Sequence, residues 1–176
     1  PQAQDALLNV RAKELARDIV NDKYNLPLHL APEEGLPNLG GAKIEIVVAD
    51  HQSSPEKALA EAERLITQEK VIALCAGYAS STTATASQAA ERLGIPYLAG
   101  APSSPTLTAR GFKWFFRTGP HDIMFTQAQF DFLKDLNEKK GAGLKTVGLL
   151  YEDTLFGADS AKTQREFAAK YGFEVV

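Results

Sequence analysis

The sequence holds a single cysteine, Cys75, which excludes an intrachain disulfide and any multi-cysteine zinc site. Its three histidines, His29, His51 and His121, are too scattered to form a metal-ligand set. No apolar run approaches the ~20 residues of a membrane-spanning helix. Positive charge is not concentrated anywhere: 19 Lys and Arg stand against 22 Asp and Glu, a net charge of −3. Phosphate neutralisation dominates affinity for nucleic acid, so a chain without a basic stripe excludes that partner. Neither GxGxxG nor GxxxxGK[ST] occurs, which removes the nucleotide-binding fingerprints. Glycine and proline, 13 and 9 of 176 residues, are at ordinary levels, as are 44% hydrophobic and 23% charged residues. Disordered, collagenous and low-complexity readings are therefore out. A chain of this length has room for one domain, or for one and part of another.

What is present is an alternation of two periodicities. Residues 4–24 place Leu7, Val10, Ala12, Leu15, Ile19 and Val20 at helical spacing. The stretch NLPLHLAPEEGLPNLGG, residues 25–41, reads as a loop. Lys43 to Ala49 (KIEIVVA) has the β-branched character of a buried strand. Ser53, Ser54, Pro55 and Glu56 then announce a helix, with Ser53 as hydroxyl cap and Glu56 three residues on. The pattern continues with strands over 71–76, 95–99, 114–117, 145–151 and 173–176. Helices are expected over 82–93, 122–140 and 158–171 between them. Such alternation predicts βαβ units, hence an α/β fold with a Rossmann-like parallel sheet and helices on both faces.

In such sheets ligands bind beyond the carboxyl ends of the strands. Two loops there are unusual. GYASSTTATAS, beginning at Gly77, sets Ser80, Ser81, Thr82, Thr83 and Thr85 at a helix start, where unpaired N–H groups favour an anion. One Ser acting as helix cap with the rest in solvent weighs evenly against an anion site. GAPSSPTLTARG, residues 100–111, carries Pro102 and Pro105, which remove donors and leave carbonyls such as Ala101's to accept; Ser103 adds a hydroxyl. Together they outline a carboxylate site beside an ammonium site. An ordinary rigid turn explains the second loop nearly as well.

Catalytic readings are weaker. GYASS lacks the G-x-S-x-G pattern of a serine nucleophile. Cys75, inside an apolar strand, is expected to be buried and inert. Glu33, Glu34, Glu152 and Asp153 read as solvated, and Trp114, Phe115 and Phe116 as core. No catalytic residue, metal or cofactor is assigned.

The order and spacing of IEIVVADHQSSPEKALAEAERLITQEKVIALCAGYASSTTATAS, GIPYLAGAPSSPTLTARGFKWFFRTGPHD and KTVGLLYEDTLFG resembles the substrate-binding proteins of ABC importers for branched-chain amino acids. The likeness runs from about Gly41 to the end. The ligand-binding domains of class C receptors are more distantly similar. The resemblance implies a type I periplasmic-binding-protein fold, two Rossmann-like lobes closing on a small amino-acid-like or carboxylate ligand. It implies further a periplasmic or cell-surface, non-enzymatic receptor whose partner is an ABC permease in the membrane. Position by position, Ser80 matches the serine that holds the ligand carboxylate, with Ser81 beside it. Ala101 and Pro102 match the loop whose carbonyls accept from the ammonium, and Ser103 its neighbouring hydroxyl. Phe156 falls where the second lobe often contributes an aromatic, and Tyr78 and Tyr151 flank these loops. Ser103 stands where Thr is usual, Phe156 where Tyr is common, and the 25–41 loop is long, so the ligand side chain stays open.

The family's first strand is expected to be missing ahead of residue 4. The chain beginning at Pro1 leads us to expect an upstream segment removed, and most of the second lobe is expected beyond Val176. Residues 1–118 then form most of lobe I, and 119–176 begin lobe II. The missing strand belongs between those of 44–49 and 71–76, which should lie roughly 9–10 Å apart without pairing. The alternative is a complete flavodoxin-like enzyme or signalling domain, in which those two strands pair directly. A regulator domain sensing amides or amino acids on the same fold is a third reading.

Overall fold

A computed structural model of the chain describes residues 45–75 and 77–176. The expected 4–24 helix, the 25–41 loop, His29, Glu33 and Glu34 lie outside those residues. The first described helix, α1 (Pro55–Thr67), is capped by Ser54, one residue later than expected: its side chain accepts from Lys57 N and its hydroxyl donates to Glu56. Ser53, with φ +56°, is bent into the turn before the cap and cannot fill that role. Ala58 and Ala62 are buried on α1 and pack in one core with Ala86, Ala89 and Ala90 of the helix α2 (Ser80–Leu93). Small side chains on both surfaces let the two backbones come close. Thr85 Oγ1 donates across that contact to Pro55 O at 2.8 Å.

Three parallel strands follow in spatial order: β1 (Leu74–Cys75), β2 (Tyr97–Ala99) and β3 (Phe115–Arg117). Leu74 pairs with Tyr97, and Tyr97 with Phe115, so the register sets three buried side chains in a row. The rings of Tyr97 and Phe115 stack with centroids 5.9 Å apart. The alternate residues Cys75, Leu98 and Phe116 are exposed. This corrects two expectations, the buried thiol at Cys75 and the core position of Phe116. Side chains alternate across a strand, and no described element covers that second face. The short helix α3 (Thr106–Ala109) was not expected; Leu107, 1% exposed, plugs it into the core.

A second group of elements comprises α4 (Asp122–Lys140), β4 (Thr146–Val147), α5 (Leu155–Tyr171) and β5 (Glu174–Val175). β4 and β5 pair in parallel. Phe130 of α4 centres an aromatic cluster with Phe167, Tyr171 and Phe173. Helices α2, α4 and α5 all end on a glycine at positive φ whose N–H bonds back into the last turn.

The strand expected over residues 43–49 does not form in its described part. Residues 45–49 are in no strand, and Ile46 and Val48 are 65% and 58% exposed. A strand exists only by pairing, and among the described residues β1 pairs with β2 alone. Among the described residues, direct pairing of 45–49 with 71–75, the mark of the flavodoxin-like alternative, is thus not observed. The strand expected over 145–151 likewise shortens to two residues. Beyond Val147, β5 offers no further ladder, and Leu150 is wholly exposed.

Candidate functional site

Because β1, β2 and β3 run parallel, the loops leaving their carboxyl ends emerge along one edge. The first enters α2. Its glycine, Gly77, has φ +95°, and a Cβ there would collide with Thr83 Oγ1 and lie 3.0 Å from the Tyr97 hydroxyl. Only glycine lets the backbone pass over those two buried side chains. The N-cap position of α2 is Ala79, whose side chain offers no acceptor, so the first N–H groups of the helix have no side-chain cap.

The hydroxyls of this loop divide in their use. Thr82 Oγ1 donates to Ala79 O, Thr85 Oγ1 to Thr82 O and Pro55 O, and Ser87 Oγ to Thr83 O. All but the bond to Pro55 O, which reaches α1, serve the helix itself. Thr83 Oγ1 is buried without a hydrogen-bond partner. Ser80 is 2% exposed, and its Oγ accepts from Ser104 N at 3.2 Å. That bond joins the first loop to the second and leaves the Ser80 proton to be donated elsewhere.

The second loop, residues 100–105, is held from beneath. Arg117, at the end of β3, donates from Nη1 to Pro102 O at 2.8 Å and from Nη2 to Ser104 O at 2.6 Å. Burial lowers the pKa of this guanidinium from its usual value, yet its two carbonyl acceptors suit the charged form. The third loop closes in as Asp122 N donates to Ser103 O at 2.8 Å. Pro102 and Ser103 carbonyls are therefore both engaged, whereas Ala101, exposed, keeps a carbonyl that no described donor takes. Arg110 braces the neighbourhood by donating to Ala84 O, Leu107 O and Ser87 Oγ, with its guanidinium over the Phe112 ring at 4.1 Å.

The structure thus links Ser80 and Pro102 through Ser104 and Arg117, with Ser103 beside them on the same loop and bonded to Asp122, and with Ala101 exposed. Ser81 is half-buried at the same helix start. Tyr78 is 88% exposed, and Tyr151 lies about half in solvent beneath the Arg165 guanidinium, 5.5 Å from its ring centroid. Phe156 is half-buried on the first turn of α5. No hydrogen bond ties Tyr78, Tyr151 or Phe156 to the cluster.

Three participants escaped the sequence reading: Ser104, Arg117 and Asp159. Ser104 is fully buried and uses all its polar groups, its Oγ donating to Asp159 of α5. Sequence signals for them exist but are faint: a doubled serine at 103–104, and a cation ending the apolar run WFFR. Among the described residues no cluster of His, Cys, Asp and Glu is arranged to hold a metal ion, and no helix is long and apolar enough to cross a membrane.

The sequence pattern of the periplasmic binding protein family matches residues 11–176. A Leu/Ile/Val-binding protein homolog from Brucella abortus is 33% identical over 154 residues, which covers 85% of this chain and 38% of that protein. An ABC transporter substrate-binding protein of Desulfitobacterium hafniense, solved with Leu, is similar with a TM-score of 0.68 and 26% identity over 85% of this chain and 43% of that one. A branched-chain amino acid transporter substrate-binding protein of Streptococcus pneumoniae, solved in complex with isoleucine, gives a TM-score of 0.65 and 26% identity over 84% and 40% of the two chains. The chain spans about two-fifths of the length of the curated relatives it matches.

Proposed function

The chain belongs to the periplasmic binding protein family and has its type I fold, and from that premise we propose that it is the ligand-grasping part of an extracytoplasmic solute receptor serving an ABC importer. Residues 1–118 form most of lobe I, and 119–176 begin lobe II. The ligand is a small amino acid or related carboxylate. Its carboxylate sits at the uncapped start of α2, taking the Ser80 and Ser81 hydroxyls and the first backbone N–H groups, where the helix dipole favours negative charge. Its ammonium faces the Ala101 carbonyl, with Pro102 and the Ser103 hydroxyl beside it. Tyr78 borders the entrance, and Tyr151 and Phe156 approach from lobe II as the lobes close. Ligand shifts an open–closed equilibrium, and the closed form is what a membrane permease reads. No bond is made or broken, and no cofactor takes part.

The observation that carries this reading is the 3.2 Å bond from Ser104 N to Ser80 Oγ. It ties the loop that carries the Ser80 hydroxyl to the loop that carries the Ala101 carbonyl, so that a donor and an acceptor stand on adjoining loops, as recognition of a carboxylate beside an ammonium requires. Isothermal titration of the full-length protein with amino acids and small carboxylates tests it. Binding by at least one, weakened ~10-fold or more by Ser80→Ala, is expected for the loss of a hydrogen bond to a charged group. Heat from none of them would refute the proposal.

A further inference from the structure

Two hydrogen bonds join the described residues up to Thr118 to those beyond it. One, Asp122 N to Ser103 O, lies close to the crossover itself. The other spans 55 residues: Ser104 Oγ donates to Asp159 Oδ2 on α5. No strand pairing bridges the same divide, because β1–β2–β3 and β4–β5 form separate sheets. Ser104 is 0% exposed, and its amide and carbonyl are committed to Ser80 and Arg117. Its hydroxyl is thus a rigidly placed donor with one acceptor. Leu155, at the first turn of α5, packs against the core that contains Leu74, Tyr97 and Leu107. A polar contact and an apolar one therefore hold the start of α5 over the loops that carry Ser80 and Ser103.

We propose that Ser104 and Asp159 form the latch that keeps α5 against the Ser80 and Pro102–Ser103 loops, making both positioning residues for closure over the ligand. The inference rests on the receptor reading for its ligand, but not for its geometry. Neither side chain needs to touch the ligand. Ser104 transmits through its own backbone, since its N–H orients the Ser80 hydroxyl. When α5 swings away, the Asp159 carboxylate leaves for water and Ser104 Oγ must find water as its acceptor.

The test separates latch from ligand. In the full-length protein with Cys75→Ser, Gln88→Cys on α2 and Lys162→Cys on α5, both exposed positions, carry spin labels for distance measurement without ligand. Ser104→Ala and Asp159→Ala are expected to broaden the label distribution toward longer distances. Asp159→Asn, which keeps an acceptor oxygen, is expected to retain the shorter distance. Unchanged distributions in both alanine variants would overturn the latch whatever the protein binds. In parallel, titration with leucine, isoleucine and valine reads the consequence. Each alanine variant is expected to bind about tenfold more weakly through a faster off-rate, and the double variant no more weakly than either single one. An equal loss of unliganded melting temperature, with the off-rate unchanged, would make the contact merely structural and also refute the proposal. Absence of heat in the unmutated protein with every amino acid and small carboxylate tried, with label distances that still respond, would reject the receptor reading and leave the latch standing. Should Ser104→Ala fail to fold, the half-buried Asp159 variants decide alone.

Discussion

Replacing Arg117 by alanine removes the support beneath the loop of residues 100–105, and its cost can be worked from the contacts. The guanidinium donates to Pro102 O and Ser104 O at 2.8 and 2.6 Å, and both residues are buried. A hydrogen bond from a charged donor is worth roughly 1.5–3 kcal/mol, and a buried carbonyl left unpaired costs about 1–3 kcal/mol. Arg117 is itself only half-buried, so entering water recovers part of the loss. We expect Arg117→Ala to lower stability by about 2–4 kcal/mol. No carboxylate of the described residues stands within ion-pair distance of this guanidinium. The loss should therefore be nearly the same at low and high salt. Arg117→Lys keeps the charge but not the fork, and a single ammonium serves one carbonyl well, so it should restore about half. Urea denaturation of the full-length protein at two ionic strengths measures all three quantities. A change below about 0.5 kcal/mol for Arg117→Ala, or full recovery by lysine, would show that water satisfies those carbonyls, and the bracing role would fall.

Gly77→Ala should cost roughly 2–4 kcal/mol, because it combines a left-handed φ with collision against Thr83 Oγ1; a near-neutral result in denaturant melts would refute the close approach. Burial raises the pKa of the Tyr97 hydroxyl, so the folded state holds its proton more tightly than the unfolded state. That stability is complete below the unfolded tyrosine value near 10 and is lost as pH rises from there toward the raised folded value. Tyr97→Phe should accordingly lose less stability than the unmutated protein above about pH 10, and parallel pH profiles would contradict this. Phe130→Ala empties the centre of the aromatic cluster, with ring centroids at 5.7–6.1 Å on three sides, and should cost about 3–5 kcal/mol; a loss under 1 kcal/mol would mean the cluster collapses to fill the gap.

Much of the fold was legible because its signals are local. Helix α4 was expected over 122–140 and has those bounds, ending on Gly141 at positive φ. The strands were less legible. KIEIVVA has every β-forming residue it needs, yet 45–49 is unpaired, and of 71–75 only Leu74 and Cys75 are in a strand, because strand extent depends on a partner elsewhere in the chain. The first half of the candidate site is marked at GYASS, since hydroxyls at a helix start are a short-range pattern. Ser104 and Asp159 could not, because nothing about either residue alone marks a contact across 55 positions. The hydroxyl count of that loop was also a poor guide. Three of its hydroxyls bond the carbonyls of their own helix, a use that composition does not distinguish from ligand binding.

Ser104 donates through its amide and its hydroxyl and accepts at its carbonyl, toward three different elements, without exposed surface. Its neighbours Ala101 and Ser103 sit on the same short loop under far weaker constraint. The loop is thus divided between a keystone and a palette. Under the proposed function, side chains at 101 and 103 could be exchanged to suit a new ligand while the frame stands. At 104 alanine loses the hydroxyl, and threonine must fit a methyl group where no space is open to solvent. Under the proposed reading, selectivity would drift one residue away from a position that geometry holds still.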